Sequence, residues 1–223
     1  MLRLTEEDHA RVSAAIAAAE AKSDGEIIAI AADRSDSYHD VGLHYAVLVL
    51  FLVLAFFAAW PNQLELWWTR LMGWTADPTQ RELLTLLLGF ALLKFLAVLF
   101  ILKWMPLRLA LTPGATKTRR VRRRAVMLFK TGGERRTIGR TGILIYLSMG
   151  EHRAEIIGDE AITAVTTPET WGEAMAALIT EVKAGRPGDG IVAAVEQIGA
   201  VLAEHFPKSS TDTNEIPDKL IEL

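Results

Sequence analysis

The sequence predicts an α/β fold, an α/β/α sandwich interrupted by a two-helix transmembrane hairpin, and three observations lead there. Residues 43–60 and 83–105 are nearly all apolar, while the regions on either side carry the charge of a water-soluble protein. Short, bounded apolar runs at 26–32, 141–148 and 153–159 read as strands. Amphipathic segments with legible start and stop signals surround those runs.

The first helix begins at Thr5, an N-cap with Asp8 three residues on, and Val12, Ile16 and Ala19 form its apolar stripe. Ser23, Asp24 and Gly25 end it before the buried strand EIIAIAA at 26–32. Residues 1–42 make the first part of the soluble domain. Residues 1–22 contain too many acidic side chains for a signal peptide, so folded protein is expected from the start.

The run at 43–60 has no formal charge, and at ~1.5 Å per residue it nearly covers a hydrocarbon core of about 30 Å. The run at 83–105 is broken only by Lys94 and Lys103. Residues 43–105 thus predict a transmembrane hairpin with an interfacial loop at 61–82. Trp60, Trp67, Trp68, Trp74 and Trp104 lie at span ends or in that loop, where amphipathic rings favour the lipid–water boundary. Leu64, Trp67, Trp68, Leu71 and Trp74 can coat one side of a short helix there.

Charge is strongly segregated. Residues 1–42 carry four basic and nine acidic side chains, 106–140 eleven and one, and 141–223 five and fourteen. Only Arg70 and Arg81 lie between the spans, whereas Arg108, Lys117, Arg119, Arg120, Arg122, Arg123 and Arg124 follow the second. Basic loops resist translocation, so both termini and the soluble domain are expected to be cytoplasmic. Anionic headgroups attract such a cluster by about 1 kcal/mol per residue near the surface. Lipid contact is therefore preferred to nucleic-acid binding for RRVRRR at 119–124.

Residues 106–207 hold the basic helix, opened by Thr112 and Pro113, and the rest of the domain. Val121, Ala125 and Leu128 give that helix one apolar face. Two strands joined through Gly150, Glu151 and His152 follow. A helix from Thr167 and Pro168 then carries Trp171, Met175, Leu178 and Val182 on one face, and a last helix starts at Asp189. Residues 208–223 are expected to be an extended tail. The strand at 26–32 cannot stand alone, so it shares one sheet with the later pair, and the hairpin is an insertion.

GEI at 25–27, the basic helix, RTGILIYLS, RAEIIGDEAI, Trp171, the turn at 185–190, IGAVLAEHFP and NEIPD at 214–218 together resemble the TPM-domain family, membrane-bound bacterial branch. The resemblance covers 5–42 and 115–207. It implies an α/β/α sandwich. Plant and cyanobacterial members are linked with photosystem II repair, some members with calcium binding and acid phosphatase activity, and an animal member with modulating a receptor channel. Many soluble members carry an acidic residue and Asn ahead of the Gly that opens the central strand. Here that place is Arg140, Thr141, Gly142, and a cation at 140 competes with a metal.

The chain has no cysteine, which excludes disulfides, thiolate nucleophiles and Cys-based zinc sites. Histidines 9, 39, 44, 152 and 205 have no ligand spacing, and no nucleophile motif or P-loop occurs. Gly132, Gly133, Gly139 and Gly142 with Arg135, Arg136 and Arg140 read as a basic connector. Candidate metal ligands are therefore carboxylates: Asp33, Asp159 and Asp24, with Glu26 and Asp189 at other element ends, for Ca²⁺. Asp189 is also the expected cap of the last helix, and Asp24 a turn former. Lys94, near mid-span, costs roughly 2.5–3.5 kcal/mol to insert and is read either as a contact to another membrane protein or as a snorkelling side chain.

The expected function is a non-catalytic accessory or scaffold for another membrane protein, in assembly or quality control. The alternative is a metal-dependent acid phosphatase or calcium-binding domain. The expected partners are the lipid bilayer and another integral membrane protein or a second copy, with no nucleic acid.

Overall fold

The computed structural model describes residues 4–73, 77–132, 140–210 and 215–223. In chain order these form α1 (Glu6–Glu20), β1 (Glu26–Ala32), α2 (His39–Ala59), α3 (Asn62–Met72), α4 (Gln80–Ile101), α5 (Met105–Leu111) and α6 (Gly114–Gly132). The remainder forms β2 (Gly142–Ser148), β3 (Arg153–Gly158), α7 (Glu160–Val165), a 3-10 turn (Pro168–Trp171), α8 (Gly172–Lys183), α9 (Pro187–His205) and β4 (Leu220–Glu222). They divide into two units, 1–36 with 114–223, and 37–113.

The first unit is built on a sheet of order β3-β2-β1-β4. β1 and β2 run parallel, from Glu26 opposite Gly142 to Ala32 opposite Ser148, and β3 returns antiparallel to β2. Every residue of β1 and β2 is buried. Successive side chains point to opposite faces, and because both faces are covered the two sequences are continuous apolar runs with no alternation. Ile27, Ala29, Ala31, Ile143, Ile145 and Leu147 face a layer made by α1, α8 and α9. Ile28, Ile30, Leu144 and Tyr146 face Val121, Ala125 and Phe129 of α6. This is the expected α/β/α sandwich.

The start of α1 is the capping box read from Thr5: Asp8 N–H donates to Thr5 Oγ1 at 3.1 Å, and Thr5 N–H to Asp8 Oδ2 at 2.9 Å. α9 lies close against α1 because position 199 is glycine. A Cβ there would stand 2.6 Å from the Cβ of Ala19. The last helix opens at Pro187, two residues earlier than expected, because proline at the first position needs no N–H partner. Asp189 accordingly sits inside the first turn, paired to Arg11 and Arg186, and is not the cap.

Two elements of the sandwich lie outside the sequence expectations. Asp159 caps a short helix, α7, that apolar periodicity was too brief to reveal. The tail beyond 208 contributes β4, where Ala29 to Ala31 pair parallel with Leu220 to Glu222. Ile216 packs under α6, and Leu220 joins the opposite core layer. Three strand residues after a polar stretch carry almost no pattern, which is why the tail read only as extended.

In the second unit, among the described residues, α2 and α4 are long and apolar enough to cross a membrane, with 17% and 6% of their apolar windows buried inside the protein. They pack along each other, and α3 lies against α4 through Trp67 and Phe90, 5.4 Å apart edge to face. α4 ends at Ile101, short of the expected Met105. Pro106 then opens α5 near its first position, where the absent N–H costs nothing.

Candidate functional site

The polar side chains of the sandwich collect at the two ends of the sheet. Because β3 runs opposite to β1, Asp159 and Asp24 lie at the end where β1 and β2 begin, and Asp33 lies where β1 finishes. A seven-residue strand separates those ends by about 20 Å. Asp33 therefore cannot share one metal ion with Asp159 and Asp24. Among the described residues no group of three or more His, Asp or Glu is placed to hold a metal.

At the first end each candidate ligand is committed locally. Asp159 is buried and accepts from Glu160 N–H at 2.7 Å as the cap of α7. Asp24 accepts from Ser209 N–H at 2.7 Å through its carboxylate, and its carbonyl accepts from Thr141 Oγ1 at 2.8 Å. The bond from Ser209 N–H holds the Asp24 carboxyl below the usual carboxylate range, with Lys208 adding to the effect. Arg140, at φ 51°, pairs with Glu160. The cation thus meets the one carboxylate beside Asp159 that points outward.

Beside this edge lies a cluster in which the sequence reading named Glu26 as a candidate ligand and passed over Glu20. Glu26 is 4% exposed and accepts from Glu215 N–H at 3.3 Å and Ile216 N–H at 3.2 Å, so it holds the returning tail. Glu20 is 6% exposed; its Oε1 accepts from Ile27 N–H at 2.8 Å, while Oε2 is buried with no N–H donor among the described residues. Burial, with the neighbouring charges of Glu26 and Asp218, pushes the Glu20 carboxyl up to about 8. The signal available in the sequence was Glu26 itself, a carboxylate opening a fully apolar strand, which must find donors once buried.

The second end holds a hydrogen-bonded knot. Glu151 accepts from Ser35 N–H at 2.9 Å and from the Ser148 hydroxyl, and Tyr146 shares a 3.0 Å bond with the Ser35 hydroxyl. Burial raises Tyr146 above the usual phenol range. Asp36 accepts from Arg120 at 3.2 Å and Arg123 at 3.3 Å. Two of the five arginines expected at lipid therefore also clamp the exit of β1. Arg119 and Arg122 stay exposed, and Arg124 is half-buried near Tyr146.

In the second unit Lys94 is exposed and lines an apolar groove of about 340 Å³ with Phe56, Phe57, Trp67 and Phe90. Arg70 stands 5.6 Å over the Trp67 ring. Trp68 has a buried indole N–H without an acceptor among the described residues. Arg108, counted in the sequence only as a topogenic charge, is 7% exposed: it donates to the Leu102 carbonyl at 2.7 Å and the Ser37 carbonyl at 2.7 Å. It joins the end of α4 to the segment that enters α2. Trp74, the connector glycines 133 and 139 with Arg135 and Arg136, and Asn214 lie outside the described residues.

Residues 109–201 match the family model described as the TPM domain. The NMR structure of the BA42 protein from the psychrophilic bacterium Bizionia argentinensis is similar, with a TM-score of 0.56 and 18% identity, over 99% of this chain and 95% of that one. At that identity the likeness speaks for the fold. No curated protein matches the chain.

Proposed function

Because the chain carries a TPM domain, matched at 109–201, and two helices long and apolar enough to span lipid, we propose that it is a membrane-anchored accessory or scaffold protein for another integral membrane protein. The observation that carries this reading is the small share of α2 and α4 buried within the protein. So much exposed apolar helix surface is costly in water and at home in a bilayer. Anionic lipid at Arg119, with the domain and both termini in the cytoplasm, follows from the charge asymmetry across the hairpin.

Two further features support binding over chemistry. The candidate carboxylates sit at opposite sheet ends, and those of Asp159 and Asp24 accept from backbone N–H groups. Lys94 projects from the hairpin into an apolar groove, and residues 43–59 of the facing helix contain no carboxylate. A cation in hydrocarbon is stabilised by an acidic or carbonyl partner on another chain. Purification of the full-length chain in mild detergent is expected to recover a stoichiometric membrane-protein partner. Crosslinking to it should fall several-fold in Lys94→Leu; recovery of the chain alone overturns the reading.

A further inference from the structure

β3 is the last strand on its side of the sheet, and no described residue pairs with its outer edge. The ladder settles which groups are free. Asp159 N–H donates to the Gly142 carbonyl, so that pair is hydrogen-bonded, and antiparallel pairing alternates from there. Arg153, Glu155 and Ile157 therefore spend their main-chain groups on β2. Ala154, Ile156 and Gly158 aim theirs outward.

That edge is the floor of a groove of about 540 Å³. One wall is α6, with Arg122 and Val126; the other is the 3-10 turn and α8, with Pro168, Trp171 and Met175. We propose that the groove binds an extended peptide segment of the partner as an added strand on β3, with apolar side chains toward Trp171 and Met175 and an acidic side chain toward Arg122. The inference rests on the accessory reading for the existence of a partner and specifies how the partner is held.

Side chains of an added strand alternate between the walls, so the two chemistries alternate in its sequence. Arg122 is exposed on α6 beside Arg123 and one turn from Arg119, and among the described residues Glu155 is the one acidic side chain lining the groove. Burial raises the Glu155 carboxyl above the usual range while Arg122 and Arg153 lower it. The wall keeps its positive sign, and the complementary occupant is acidic.

The test uses full-length protein in nanodiscs and an acetylated eight-residue peptide of alternating valine and glutamate. Amide exchange is expected to slow at Ala154, Ile156 and Gly158, while Glu155 and Ile157 are slow with or without peptide. N-methylation of two edge-pairing amides of the peptide should weaken binding about thirtyfold, two lost hydrogen bonds at about 1 kcal/mol each. Arg122→Glu should reverse the preference for glutamate over lysine in the peptide. Equal binding of the N-methylated peptide, or no protection at the three outward amides, overturns the inference. If a partner is recovered and is not displaced by excess peptide or by Arg122→Glu, the groove inference fails and the accessory reading survives. Protection by the peptide without any recoverable partner has the opposite meaning.

Discussion

Replacing Glu20 by Gln is expected to make the protein more stable above pH 6 and to remove most of the pH dependence of its stability between about pH 4.5 and 8. The cause is a carboxyl whose folded value lies near 8 against an ordinary value of 4.5. In that window the unfolded chain has lost the proton and the folded chain retains it, so stability falls as pH rises, by up to ~1.4 kcal/mol per unit. Below the window both states are protonated and the penalty vanishes. Above it both are ionised, and the full penalty, at most about 5 kcal/mol, remains. Glutamine keeps the acceptor for Ile27 N–H and supplies an amide donor where Oε2 has none. Thermal unfolding of both proteins from pH 4 to 9 gives the result directly: converging midpoints at pH 4 and a gap widening with pH. Parallel curves would mean that Glu20 is ionised in the folded protein.

Replacing Arg108 by Met is expected to loosen the base of the apolar hairpin by about 3 kcal/mol, since two hydrogen bonds from a charged group are lost. The Leu102 and Ser37 carbonyls lose their 2.7 Å donors, and Leu102 is itself buried. Methionine fills the stem volume, so the loss isolates the guanidinium. Arg108→Lys restores the charge but not the fork that reaches both carbonyls, and should recover less than half. The thermal midpoint in detergent is expected to drop by roughly 6–12 °C for Arg108→Met. A midpoint within a degree of the parent would show that water replaces the guanidinium at both carbonyls.

The sandwich was legible because its elements obey simple periodicities. EIIAIAA and GILIYLS fill both faces of a covered strand, and Thr5 with Asp8 marks a helix start by its own chemistry. The same holds for the amphipathic α6, whose inward stripe ends on Phe129 where the sequence suggested Leu128. β4 and α7 are too short for any period to emerge. The candidate site was less legible, for a different reason. Ligand convergence depends on strand direction, and β3 running antiparallel sends Asp159 to the far end from Asp33. Glu20 and Arg108 escaped because a charged residue in a helix reads as solvated until tertiary structure buries it. Their roles arise from the returning tail and the hairpin base, both contacts distant in sequence.

The proposed function depends on α2 and α4 crossing a bilayer with the sandwich on one side. The absence of cysteine permits a direct measurement: single cysteines at Gln63, in α3 between the helices, and at Ser209, in the sandwich, probed in intact cells with a membrane-impermeant maleimide. The account predicts labelling of Gln63→Cys from outside and of Ser209→Cys only after permeabilisation. Equal protection of both positions in intact cells, with the chain recovered in the aqueous fraction after lysis, contradicts it.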